Sequence, residues 1–254
     1  MTASVLMDEL TWSEYADRIQ KGSPLLVVVG STEQHGPHLP LGTDVFQGMG
    51  IARAVAERTG SIIAPPITYG YKSQPKSGGG EGFAGTTSLD GQTLTLLVRD
   101  LIRAFLRHGA RRLVFVDGHY ENAMFLTEGI DLALREQGAT NARILVFHWW
   151  DLISQATVEA VFHGDFPGWA LEHAAVMETS VTAAVRPELV HWDRLVDDRA
   201  ERLPAYDIFP APADVVPRSG VLSPARRASV DHGRRIVDEV VEAIIRMMRE
   251  EFAS

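Results

Sequence analysis

The sequence predicts an α/β fold, layered, with a mostly parallel central sheet and helices on both faces. Three observations predict it. Short apolar runs at 25–29, 61–64, 113–116 and 144–147 alternate with stretches of helical period, the pattern of strand–helix–strand units. The first run, LLVVV, is continuous in its apolar character, which suits a strand covered on both faces. Clusters of His and carboxylate residues follow the carboxyl ends of the first and third runs, where open α/β sheets place their ligands.

Each element has its own signal. Residues 11–20 read as a short helix, with Thr11 or Ser13 as cap and Glu14 in the first turn. The strand at 25–29 leads into a polar loop, and 45–58 then carries Ile51 and Val55 at amphipathic spacing up to Gly60. The strand at 61–64 stops at Pro65-Pro66. From there to Gly91 the chain is dense in glycine and has no helical period, so it is expected to be a long functional loop. Leu94, Leu97, Leu101, Ile102 and Phe105 predict a helix over 92–108, and 122–137 predicts another after the strand at 113–116. Beyond the strand at 144–147 the regularity weakens. GDFPGW at 164–169 reads as a loop, 171–184 as a helix and the proline-rich 203–224 as a surface wrap, while Ile236, Val240, Ile244 and Met248 place a closing amphipathic helix within 225–252. No repeat or linker interrupts 1–254, so one domain is expected.

Composition narrows the chemistry. The chain has 254 residues, 45% of them hydrophobic, enough for a substantial core. It has no cysteine, which excludes a thiol nucleophile and leaves any metal to imidazole and carboxylate, ligands that suit zinc or manganese. A net charge of −9 argues against a nucleic-acid surface or a polybasic membrane anchor and favours a small-molecule substrate. The start, MTASVLMDELTW, has no basic region followed by an apolar stretch, and no run nears the roughly 20 apolar residues of a membrane span. A soluble cytoplasmic protein is expected.

Residues 26–50, LVVVGSTEQHGPHLPLGTDVFQGMG, carry Glu33, His35, His38 and Asp44. In extended chain Glu33 and His35 point one way while Gln34 faces elsewhere. Asp44 stands where a helix begins, so it either caps that helix or turns back to bridge metals. His119-Tyr120-Glu121 repeats the alternation at the end of another strand, and parallel strands bring both clusters to one sheet edge. The competing reading makes these surface loop residues. Glu172, His173 and Glu178 offer further ligand types, with His173 and Glu178 five apart on the expected helix; His173 also reads as a structural or surface histidine. Two carboxylates, two imidazoles and a bridging Asp suffice for a two-metal centre, which can acidify a bound water and polarise a carbonyl together. KSGGGEG at 76–82 lacks the order of a phosphate-binding loop, and close approach of its backbone to a small substrate is the better reading. Tyr120, Trp149, Trp150 and Trp169 are ordinarily core types, but Trp169 in its Pro/Gly loop reads as a lid.

With these residues assembled, the sequence resembles the creatininase (creatinine amidohydrolase) family. The resemblance rests on GSTEQHGPHLPLGTD at 30–44, with LTWSEY, YGYKSQPKSGGG, GTTSLDG, RHGARRLV, GHYEN, EGIDLALRE, GW at 168–169, EH at 172–173 and ETS at 178–180, and so spans nearly the whole chain. It implies a layered α/β fold, two divalent ions of zinc and/or manganese, and a homohexamer. It matches Glu33, His35, Asp44, His119 and Glu178 to metal ligands, with Asp44 the bridge. Glu121 matches a glutamate adjoining the metals, acting as a ligand or through water, and His173 is the competing proton carrier. Ser77, Tyr120, Trp150, Trp169 and His173 match pocket or lid positions. Ala170 departs from the pattern, which has an aspartate there, Ala174-Ala175 replace a glycine pair, and 37–43 follows the broader family form. These changes bear on the substrate and leave the ligands intact. The expected reaction is hydrolytic opening of a cyclic amide, creatinine to creatine. Another cyclic amide or related C–N bond, or a non-catalytic metal- or metabolite-binding role, are the alternatives.

Overall fold

Four strands form a wholly parallel sheet in the order β2-β1-β3-β4, with β1 at Leu25–Val29, β2 at Ile62–Ile63, β3 at Arg112–Asp117 and β4 at Arg143–His148. The computed structural model describes residues 4–138, 140–200, 206–212 and 215–253. The helices are α1 (Trp12–Gln20), α2 (Thr43–Thr59), α3 (Gly91–Arg107), α4 (Ala123–Gln137), α5 (Gln155–Phe162), α6 (Val176–Val185) and α7 (Val230–Phe252).

Strand pleating divides the interior into two cores. Leu25, Val27 and Val29 pack with residues of α1, α3 and α4 on one face, whereas Leu26 and Val28 pack with α2, α6 and α7 on the other. All five residues of β1 are buried, as the continuous apolar run predicts. β4 is one of the two edge strands and stays partly exposed.

Chain order places the site. From β1 the chain crosses through α2 to β2 on one side, then returns through α3 to β3 on the other side of β1. Adjacent strands whose connections leave toward opposite faces open a crevice at their carboxyl ends, the switch point where α/β sheets bind ligands. Here that point lies between β1 and β3, the strands that lead into Glu33 and His119.

Capping chemistry shifts several expected boundaries. Thr11 and Glu14 form a reciprocal cap on α1, as expected. The helix expected over 171–184 begins only at Val176, because Glu172 accepts from the backbone N–H groups of Met177 (2.6 Å) and Glu178 (3.3 Å) and Ala174 adopts a left-handed φ of 55°. His173 therefore precedes the helix and does not share it with Glu178. α7 starts at Val230, five residues later than expected, where Ser229 accepts from His232 N–H. The surface wrap expected over 203–224 falls partly on 203–205 and 213–214, outside the described residues. Its later part turns inward instead, with Val221 and Leu222 fully buried.

Candidate metal centre

β1 ends at Val29, and the chain turns so that Ser31 N–H donates to Asp44 Oδ2 at 3.0 Å and Glu33 N–H to Leu41 O at 2.9 Å. Asp44 does not cap α2. Gly42 holds that position, and the Asp44 side chain reaches back to the strand end. Asp44 O lies so close to Gly118 that a Cβ there would approach it to 2.7 Å. Glycine at that position lets β3's exit and α2 close on one point.

The alternation in Glu33-Gln34-His35 holds. Glu33 and His35 face the crevice, while the Gln34 side chain lies outside its lining, its amide nitrogen at 3.0 Å from the carbonyls of Gly78 and Gly220 and 2.8 Å from His173 Nε2. His119 Nδ1 lies 2.9 Å from Glu33 Oε2 and 3.3 Å from Asp44 Oδ2. His35 Nε2 lies 3.0 Å from Asp44 Oδ1 and 3.7 Å from Glu178 Oε1. Two donor groups result, Glu33/Asp44/His119 and His35/Asp44/Glu178, each with ligand atoms within 4.8 Å of one another, and Asp44 belongs to both. A third group of the same kind joins His173 to Glu33 and His35. Glu121 belongs to none of the three.

The charge of the crevice tests what it fits. Glu33, Asp44, Glu121, Glu172 and Glu178 line it with His35, His119 and His173, and no Lys or Arg does so among the described residues. Buried carboxylates without compensating cations are costly, so this donor set suits divalent metal ions, and its N/O composition suits zinc or manganese. Burial by itself would hold the His35 and His119 imidazoles low; for His35 the charges of Glu178 and Asp44, and for His119 those of Glu121 and Glu33, lift each well above its ordinary value. Burial likewise opposes ionisation of Asp44, yet His35 and His119 hold its carboxyl below the usual range.

The surrounding residues orient the donors. His119 Nε2 faces Tyr71 O at 3.0 Å and Glu121 Oε2 at 3.3 Å, leaving Nδ1 toward Asp44 and Glu33. Ser77 Oγ and Gln74 N–H (3.0 Å) both donate to Glu121 Oε1, so Ser77, expected to meet substrate, also holds a carboxylate. The glycine tract is not spread against a substrate space as expected. A Cβ on Gly78 would collide with Glu33 Oε1, and one on Gly79 would stand 2.6 Å from Gln34 Nε2, so these glycines let the loop close on the β1 exit. His173 Nε2 meets Gln34 O at 2.9 Å, and burial together with nearby His35 lowers its pKa to about 4. Trp150 stacks on His148 with centroids 4.6 Å apart, and Trp169 meets Phe166 edge-on at 4.7 Å. Both tryptophans and Tyr120 line the crevice.

Ser73 and Asp117 escaped the sequence reading, which named His38 and Glu172 but assigned neither a role. Ser73 Oγ donates to Glu33 Oε1 at 2.7 Å. His38 is fully buried and pins the loop to α6 through Thr179 Oγ1 at 2.9 Å. Asp117 accepts from His119 N–H and Asn122 Nδ2, and burial raises its pKa to about 6. Glu172 is buried beside Glu178, and burial and that neighbouring charge hold its carboxyl well above the usual range. The available signal was adjacency, since Asp117 and Glu172 stand one or two residues from His119 and His173 in the same polar clusters.

A family model described as creatininase, creatinine amidohydrolase, matches residues 8–248. The chain belongs to the creatininase family. It is 46% identical to the creatinine amidohydrolase of Pseudomonas putida over 99% of each chain. It is 35% identical to a mycofactocin precursor peptide peptidase of Mycobacterium ulcerans (strain Agy99), over 86% of this chain and 81% of that one. Among solved structures, a glutamate-to-glutamine mutant of creatininase complexed with creatine superposes with a TM-score of 0.95 at 45% identity, covering 99% of this chain and 100% of that one. Zinc–zinc and manganese creatininase structures match equally well, each with a TM-score of 0.95 at 46% identity over 99% of this chain and 99% or more of theirs. The layered α/β fold expected from sequence is thus the creatininase fold.

Proposed function

We propose that this protein is a metal-dependent amidohydrolase that opens a cyclic amide, converting creatinine to creatine. The observation that carries the reading is the pair of donor groups sharing Asp44 at the floor of a crevice walled by Tyr120, Trp150 and Trp169. The similarity to the creatinine amidohydrolase of Pseudomonas putida supports creatinine itself.

Glu33, Asp44 and His119 hold one divalent ion, and His35, Asp44 and Glu178 the other. Such a pair supplies Lewis acidity, lowering the pKa of a bound water toward 7 and polarising a carbonyl. The protein's own part is proton transfer and positioning. A lactam nitrogen leaves poorly until protonated, and Glu121, fixed through Oε1 by Ser77 and Gln74 and with Oε2 at 3.3 Å from His119 Nε2, is placed beside the donors to carry a proton to it. His173, held neutral by burial near pH 7 and engaged at Nε2 with Gln34 O, orients the ring and the loop rather than storing the proton. The aromatic walls sandwich the planar ring, and Trp169 closes over it. One domain, 1–254, carries the activity, the family resemblance extends to a homohexamer, and the composition fits a cytoplasmic protein.

Elemental analysis combined with a creatinine turnover assay tests the reading. The protein is expected to hold close to two divalent ions per chain and to lose activity when they are stripped. Full activity in metal-free protein contradicts it, and metal without turnover of any cyclic amide favours a binding role. One observation favours a different amide as the preferred substrate: Ala170 faces not the metal crevice but an apolar cavity beside it.

A further inference from the structure

The free space directly over the donors measures only about 30 Å³, whereas the adjoining cavity measures about 600 Å³. The first has room for a water or two at roughly 10–15 Å³ each. The second is within the range of about 300–1,000 Å³ typical of small-molecule pockets. Ser77, Tyr120 and Glu121 line both, so the two spaces adjoin at the proton-carrying carboxylate.

The larger cavity is built for apolar contact. Tyr71, Met124, Phe125, Ala170, Ile208 and Phe209 stand in its wall. Met124 and Phe209 are 76% and 82% exposed, a grouping of large apolar side chains that marks a binding surface. Its lysine is already neutralised, since Lys76 pairs with Asp207 at 3.0 Å and donates to Tyr206 O at 3.3 Å. That pairing also ties the segment 206–212 to the loop bearing Ser77. An anionic group would find no unpaired cation among the described lining residues. A neutral aromatic or branched aliphatic group satisfies the wall.

We propose that this cavity receives a large neutral apolar substituent on the substrate ring, so that the chain prefers cyclic amides of amino-acid origin bearing such a side group over the small N-methyl ring of creatinine. The inference rests on the amidohydrolase reading above. The bond chemistry is unchanged: water adds its OH to the acyl carbon and its proton to the ring nitrogen as the C–N bond breaks, and the substituent takes no part.

The test compares creatinine with analogues of the same ring carrying methyl, isobutyl or benzyl at C5, and with the N1-benzyl analogue, using the metal-loaded protein. Burial of a benzyl group should raise kcat/KM over creatinine by about 10–100-fold for at least one position. Met124→Trp, which narrows the cavity, should lower the benzyl-to-creatinine ratio at least about fivefold. Creatinine turnover with no gain from any substituent overturns the inference and leaves the amidohydrolase reading standing. Turnover of none of the compounds overturns that reading and the inference with it. A changed oligomeric state of Met124→Trp in sedimentation, with the ratio unmoved, assigns the cavity to contact between copies and also overturns it.

Discussion

The metal centre has two sides that are held in different ways. On the strand side, Glu33, His35, Asp44 and His119 emerge from β1, β3 and the first turn of α2, and their backbone is locked by the parallel sheet and the close packing of Gly118 on Asp44. On the turn side, Glu172, His173 and Glu178 hang on a short irregular bend, where Ala174 has a left-handed φ and its N–H donates to Glu178 Oε2 at 2.5 Å. A few local bonds set that bend, including Leu222 N–H to His173 O at 3.3 Å. The strand side should move only if the sheet opens, whereas the turn side can shift by local rearrangement. Damage to the first should abolish the centre, and damage to the second should grade it.

Glu121 gives the largest expected effect among changes that spare the ligands. Glu121→Gln keeps size and much of the hydrogen bonding but cannot shuttle a proton, so kcat should fall by about 10²–10⁴-fold with both ions retained. Loss of one ion equivalent in that variant would make Glu121 a ligand, and an undiminished kcat would pass the proton role to His173. On the turn side, Glu172→Ala strips the acceptor from two helix N–H groups and loosens Glu178. Affinity for the ion beside Glu178 should drop by about 10–100-fold, the usual cost of losing an orienting partner. Glu172→Gln keeps an acceptor and should recover most of that affinity in a metal titration; equal loss in both variants would mean that the carboxylate charge, not the cap, is what matters. The smallest effect belongs to Ala174→Gly, which relieves an L-residue from a conformation costing roughly 1–2 kcal/mol but adds chain entropy. A rise in Tm of about 2–4 °C is expected, and a fall would place the strain elsewhere.

Legibility in the sequence follows the same division. Strand-end chemistry could be read because period-two alternation fixes which side chains share a face, and chain order puts parallel carboxyl ends together; Glu33, His35 and His119 needed nothing more. Asp44 as a helix cap or as a bridge were two open readings, and its contact with Ser31 N–H, with Gly42 at the cap, removes the first. The turn side was misread as one helix over 171–184 because its apolar content fits helical spacing, while the competing cap from Glu172 depends on a bend that no periodicity records. The glycines at 78 and 79 were visible, but what they approach is 45 residues away in the chain at Glu33 and Gln34. The departure at Ala170 was visible too, though the cavity it faces is assembled from 71–77, 120–125, 206–212 and Val215 and exists only in three dimensions.

The account turns on Asp44 serving two ions at once. Metal content per chain, measured after reconstitution with zinc or manganese, tests this across His119→Ala, Glu178→Ala and Asp44→Ala. The parent is expected to hold close to two ions, His119→Ala and Glu178→Ala close to one each, and Asp44→Ala close to none while remaining folded by circular dichroism. An Asp44→Ala protein that keeps one fully occupied ion, or a parent that binds only one, would contradict the shared centre.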